Sequence, residues 1–189
     1  MPIKVGDRLP DTKFRVMTTE GPVWKTTDEV FKGRKVALFA VPGAFTPTCN
    51  NLHIPSFLNN AAAIKAKGVH TIAVTGVNDV FVMDAWKKAS GGDGIEFLAD
   101  GSAAWAKAVG ITADLTERGL GVRSGRYSMI VEDGVVKSLN VEQLKKIFSA
   151  STAAKTWKDV DPSWPANPIK RFRPSTMIAL TCIRIARST

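Results

Sequence analysis

The amino-acid sequence predicts an α/β domain with a central mixed sheet flanked by helices. Three observations predict it. The runs Val36–Val41 and His70–Thr75 are short and apolar, as strands buried on both faces are. Each is followed by a segment with helix-start signals, and strands alternating with helices pair in parallel. The β-rich runs Tyr127–Val131 and Val135–Val141 then flank Glu132-Asp133-Gly134, and Asp-Gly at such a place closes an antiparallel hairpin.

Taken in order, residues 1–35 are mixed, with turn signals at Glu20-Gly21-Pro22 and Lys32-Gly33. Pro42-Gly43 ends the first buried strand. Residues 47–67 read as helical, with Gly68 as the stop and Pro55 as a break or kink, because proline lacks the N–H that the helix needs. After the second strand, Asn78 or Asp79 caps a helix running to Lys88, and residues 90–94 form a loop. Phe97-Leu98-Ala99 is a short strand, and Asp100-Gly101-Ser102 opens a helix through Val109. Beyond the hairpin, residues 151–159 read as a last helix. From Asp161 onward Pro162, Pro165, Pro168 and Pro174 punctuate the chain.

The chain has 189 residues and is 44% hydrophobic, enough for one domain with a real core. No run approaches the about 20 apolar residues of a membrane-spanning helix. Met1-Pro2-Ile3-Lys4-Val5-Gly6-Asp7 has no apolar signal core, so the expected location is cytoplasmic, with no membrane partner. Net charge is +9, and residues 161–189 hold Lys170, Arg171, Arg173, Arg184 and Arg187 against Asp161 alone. With no groove-reading motif beside these charges, no nucleic-acid partner is expected. Two cysteines and two histidines are too few for a disulfide scaffold or a Cys/His zinc site, so neither a metal nor another cofactor is expected.

The stretch richest in chemical signals is Pro42-Gly43-Ala44-Phe45-Thr46-Pro47-Thr48-Cys49, which leaves a buried strand and enters a helix. A cysteine in a helix's first turn faces backbone N–H groups and the positive end of the dipole, which favour thiolate, the nucleophilic form. Thr46 lies one turn earlier. Pro42 and Pro47 stiffen the loop and remove donors, and Gly43 suits a tight turn. These residues alone leave two readings of Cys49, a nucleophile or a small buried hydrophobe.

Val41 to Cys49, followed by His53-Ile54-Pro55 and Phe57, resembles the active-site signature of the peroxiredoxins, above all the type II or peroxiredoxin-5 branch. Val77 to Trp86 resembles that branch's second helix start, Leu98 to Gly101 its third strand and turn, and Arg123 to Met129 the strand bearing its active-site arginine. Asn140-Val141-Glu142 also fits. The resemblance covers residues 3–160, which divides the chain into a domain at 1–160 and a basic, Pro-containing extension at 161–189. It implies a thioredoxin-like fold and a thiol-dependent peroxidase. The substrates would be hydrogen peroxide and small organic hydroperoxides, reduced through a cysteine sulfenic acid. The alternative is a peroxide sensor or chaperone-like redox protein using the same cysteine.

The resemblance carries roles with it. Cys49 matches the peroxidatic cysteine, Thr46 the threonine that hydrogen-bonds peroxide, Pro42 the proline that walls the pocket, and Arg126 the active-site arginine, with Arg123 as its local competitor. His53, one turn after Cys49, is either a group at or behind the pocket or an ordinary hydrogen-bonded helix histidine. The chain departs from the family at Ser56, which replaces a usual glycine. It also lacks a resolving cysteine where some relatives carry one, at Ala73-Val74 or after Asn140-Val141-Glu142. Cys182 could resolve Cys49 only if the two Cα atoms came within about 7 Å. The default expectation is therefore a one-cysteine cycle with an external thiol, glutathione with glutaredoxin or thioredoxin, in a homodimer. A thiol–disulfide oxidoreductase would want Cys-x-x-Cys, and Leu52 stands at the second position.

Overall fold

The computed structural model describes residues 1–142. The helix expected at 151–159, the extension 161–189 and Cys182 lie outside the described residues. Seven strands form one sheet: β1 (Lys13–Thr18), β2 (Gly21–Thr26), β3 (Lys35–Val41), β4 (Thr71–Gly76), β5 (Glu96–Ala99), β8 (Tyr127–Glu132) and β9 (Val135–Val141). Their order is β2-β1-β5-β4-β3-β8-β9. β3, β4 and β5 run parallel and the other pairings are antiparallel, so the sheet is mixed, as the sequence predicts. β6 (Thr112–Leu115) and β7 (Gly121–Ser124) form a separate antiparallel ribbon.

The alternation along β3 divides the core. Ala37, Phe39 and Val41 point into one layer, with Cys49, Phe57, Trp86 and Phe97. Val36, Leu38 and Ala40 point into the other, with Phe14, Phe31, Trp105 and Tyr127. Period-two alternation with both faces covered is what makes such a strand read as a continuous apolar run. The first layer is closed by α2 (Ile54–Leu58), α3 (Ala61–Ala66) and α4 (Val80–Ser90); α1 (Thr27–Phe31) and α5 (Ala104–Ala108) contribute Phe31 and Trp105 to the second.

Three differences from the sequence reading have identifiable causes. Residues 13–31, read as mixed, hold the β1–β2 hairpin and α1, which starts on a capping box between Thr26 and Glu29. The helix expected over 47–67 is broken into a π-helical turn at Cys49–His53, then α2, then α3. The turn is wide because the Ile54 N–H reaches back five residues to the Cys49 carbonyl, and Pro55, next along, has no N–H to restore the tighter ladder. The chain then turns at Asn59-Asn60, where the Asn60 amide donates to the Ser56 carbonyl at 2.7 Å, and Gly68 (φ 82°) ends α3 as expected. Finally, the left-handed residue of the loop before Cys49 is Phe45 (φ 60°), not Gly43.

Candidate active site

The site lies where β3 ends. Val41 is the last strand residue, and the chain turns through Pro42–Thr46 before the helix begins. The Thr46 carbonyl accepts from the Asn50 N–H at 2.8 Å, so Pro47 stands at the first helical position, where its fixed φ and missing N–H cost nothing. Cys49 follows two residues later, still in the first turn, and is wholly buried.

Arg126 arrives from the opposite direction. It immediately precedes β8, which pairs antiparallel with β3 up to the contact of Ala40 with Tyr127. The guanidinium is thereby brought beside the end of β3, with Nη1 3.4 Å from Cys49 Sγ. The same Nη1 is 3.4 Å from His53 Nδ1. His53 is buried, its ring 4.9 Å from that of Phe39 and 5.7 Å from that of Phe57. It therefore sits in the core and not at the rim. Arg123, the local alternative, is spent elsewhere: Nε donates to the Leu120 carbonyl at 2.7 Å and Nη1 to the Val77 carbonyl at 2.9 Å.

The Thr46 hydroxyl donates to the Gly43 carbonyl at 2.9 Å. With its proton committed there, the oxygen keeps acceptor lone pairs for another partner. Gly43 matters for close approach: a Cβ there would stand 3.1 Å from Thr46 Cγ2. A cavity of about 750 Å³ opens in front of this loop. Pro42, Thr46, Pro47, Thr48 and Arg126 line it, together with Leu115 and Leu120, which flank the turn between β6 and β7. So Pro42, Thr46 and Arg126 share one pocket, and Arg126 links it to the buried Cys49 sulfur. Among the described residues Cys49 is the sole cysteine, and no cluster of three or more metal-ligating side chains occurs. No helix among them is long and apolar enough to cross a membrane.

Sequence reasoning missed several residues here. The Asn50 carboxamide accepts from Trp86 Nε1 at 2.9 Å, tying the cysteine turn to α4. Asn78 Oδ1 accepts from the Ala44 N–H at 2.9 Å. Asn78 did carry a signal, as one of two candidate caps; Asn50, Leu115 and Leu120 carried none, because their partners are distant in the chain.

Comparison with known proteins agrees with this geometry. The family model described as Redoxin matches residues 4–156. The chain is 46% identical to Peroxiredoxin-2E-2, chloroplastic, of Oryza sativa subsp. japonica, over 82% of this chain and 72% of that one. It is 44% identical to Peroxiredoxin-2E, chloroplastic, of Arabidopsis thaliana, over 75% of this chain and 62% of that one. Among solved structures, reduced Prx3 of Vibrio vulnificus in complex with hydrogen peroxide superposes with a TM-score of 0.81 at 45% identity, over 84% of this chain and 99% of that one. The two plant names overturn the expected cytoplasmic location, since both relatives are chloroplastic. The absence of an apolar signal core at residues 1–7 was too slight a basis for that expectation.

Proposed function

The chain belongs to the redoxin family as a thiol peroxidase of the peroxiredoxin type, close to the type II or peroxiredoxin-5 branch, and from that premise we propose that Cys49 is its peroxidatic nucleophile. The observation that carries the assignment is the 3.4 Å approach of Arg126 Nη1 to the sulfur, beneath a pocket walled by Pro42 and Thr46. A fixed guanidinium stabilises negative charge on sulfur, and its remaining donors can follow charge onto the departing oxygen. The Thr46 oxygen, its own proton given to Gly43, accepts the peroxide O–H and so orients the bond to be broken.

In the reaction the Cys49 thiolate attacks one peroxide oxygen. A sulfur–oxygen bond forms, the oxygen–oxygen bond breaks, and water or an alcohol leaves after taking up a proton. Cys49 is thereby oxidised to sulfenic acid. Neither position at which some relatives carry a resolving cysteine holds one here, so an external thiol then displaces water to form a mixed disulfide, and a second thiol releases Cys49 as thiolate. Glutathione with glutaredoxin, or thioredoxin, has the chemistry for this, and Cys182 is assigned no part in it. His53 supports Arg126 from behind. The exposed side chains of Phe45, Leu52 and Phe81 support a homodimer formed beside the pocket. The chloroplastic relatives support a plastid location.

The test is peroxide consumption by Cys49→Ser and Cys182→Ser under a defined thiol donor. The first variant is expected to be inert and the second to keep wild-type turnover. Full activity in Cys49→Ser would sink the assignment, and loss in Cys182→Ser would overturn the one-cysteine cycle. A wild-type protein that consumes one equivalent and then stops with every donor would instead be a sensor.

A further inference from the structure

The sequence offers Asn78 and Asp79 as alternative caps for α4. Asp79 takes that role alone, its Oδ1 accepting from the Phe81 and Val82 N–H groups at 2.9 Å each. Asn78 is turned toward the cysteine loop, where Oδ1 accepts from the Ala44 N–H at 2.9 Å. Because a backbone N–H can only donate, the oxygen of the carboxamide is the atom that faces it.

We infer that Asn78 is a positioning residue for the peroxide pocket, acting through this oxygen on the Gly43-Ala44-Phe45 turn. The turn needs holding. Phe45 has φ 60°, a region that residues with a side chain rarely occupy, and about half of its surface is exposed, so packing only partly fixes it. The residue on the other side of Ala44 is Gly43, whose carbonyl receives the Thr46 hydroxyl. The Asn78 bond thus enters the loop one residue past the carbonyl that orients the peroxide-binding oxygen. The carboxamide packs beside both strand-end glycines: a Cβ on Gly43 would lie 3.9 Å from Asn78 Oδ1, and one on Gly76 3.7 Å from it, ordinary van der Waals contact. Arg123 fixes the other end, since its Nη1 donates to the carbonyl of Val77, the residue before Asn78. The Asn78 backbone N–H donates to the Gly76 carbonyl at 2.8 Å, so β7, the end of β4 and the cysteine loop are all tied to the Val77-Asn78 segment that leads into α4.

The inference rests on the peroxidatic role of Cys49, and two reactions of that thiol separate them. Peroxide uses the Thr46 pocket; iodoacetamide needs only a reachable thiolate. Both second-order rates are measured by stopped flow or quench on the full chain. Asn78→Ala is expected to lose about tenfold or more with hydrogen peroxide while alkylation stays within about twofold, because small displacements of positioning groups cost most where the reaction is oriented. Asn78→Asp keeps an acceptor oxygen at the same place and is expected to stay within about threefold with peroxide. Asn78→Ala reacting with peroxide at the wild-type rate would overturn the inference. So would parallel loss of both reactions, or a folded Asn78→Asp as slow as Asn78→Ala. If Asn78→Ala does not fold, Asn78→Leu, which keeps the shape of the carboxamide and removes its acceptor oxygen, takes its place with the same expected and overturning results. A wild-type protein that alkylates but ignores peroxide would show instead that the parent assignment fails.

Discussion

At the scale of single residues, the site depends on the difference between two arginines three positions apart. Both Arg123 and Arg126 fall in the stretch that resembles the family's arginine strand, and the sequence favours Arg126 because it abuts the strand. In the fold Arg126 is delivered to the end of β3, whereas Arg123 donates to two carbonyls. Arg126→Met is accordingly expected to slow the reaction of Cys49 with peroxide by about 100-fold, the usual effect of removing a donor aimed at developing charge. Arg126→Lys should fall between Met and wild type, because it keeps the charge and loses the planar fork. Stopped-flow oxidation monitored by intrinsic tryptophan fluorescence measures both; equal rates for all three proteins would refute the assignment. Thr46→Val tests the second polar contact. It preserves shape, removes the oxygen held at 2.9 Å from Gly43, and should cost about tenfold, with Thr46→Ser recovering most of it.

At the scale of elements, legibility followed locality. The Asp133-Gly134 hairpin was readable because two adjacent residues fix it, and both adopt positive φ, 48° and 74°. Buried β3 and β4 were readable from their apolar runs. The β1–β2 hairpin was not, because it sends one fully buried side chain, Phe14, into the core and otherwise presents half-buried or exposed positions without alternation. The π-helical turn was likewise invisible, since the spacing of apolar residues from Cys49 to Ile64 stays near helical and only a backbone hydrogen bond distinguishes the two forms. In the candidate site, Cys49, Thr46 and Pro42 were legible as one contiguous motif; the contacts of Asn50 and Asn78 were not, because each spans 34 residues or more. Cap chemistry gives this scale its own prediction. Asp79 holds two N–H groups at the start of α4, a helix that carries buried Val80, Met83 and Trp86. Asp79→Ala should lower stability by about 1 kcal/mol, read from urea unfolding, whereas Asp79→Ser should recover much of it.

At the scale of the whole molecule, the two core layers share a sheet but differ in kind. One layer carries Cys49 and its arginine. The other is closed by Phe14, Phe31 and Trp105, the Phe31 and Trp105 rings stacked with centroids 6.1 Å apart, and by Tyr127, whose hydroxyl accepts from Trp105 Nε1 at 2.8 Å. Tyr127 immediately follows Arg126, so the strand that brings this guanidinium to Cys49 is anchored on the opposite side of the sheet by this phenol. Burial pushes the Tyr127 phenol well above its ordinary value of 10, and the nearby Asp100 carboxylate adds to the effect, against the hydrogen bonds from Trp105 and Ser124. The folded chain therefore holds a proton that the unfolded chain releases above pH 10. The stability from this group is complete below that pH and is lost progressively as pH rises past it. Tyr127 is the sole tyrosine of the sequence, so phenolate absorbance reports on it alone. In alkaline titration the native protein should show no phenolate signal where free tyrosine ionises. The signal should then appear in one step together with loss of far-ultraviolet circular dichroism, and the urea-unfolded chain should titrate near pH 10. Phenolate appearing near pH 10 with the circular dichroism intact would mean that the hydroxyl is open to solvent. The second layer would then not be the closed support on which Arg126 is placed.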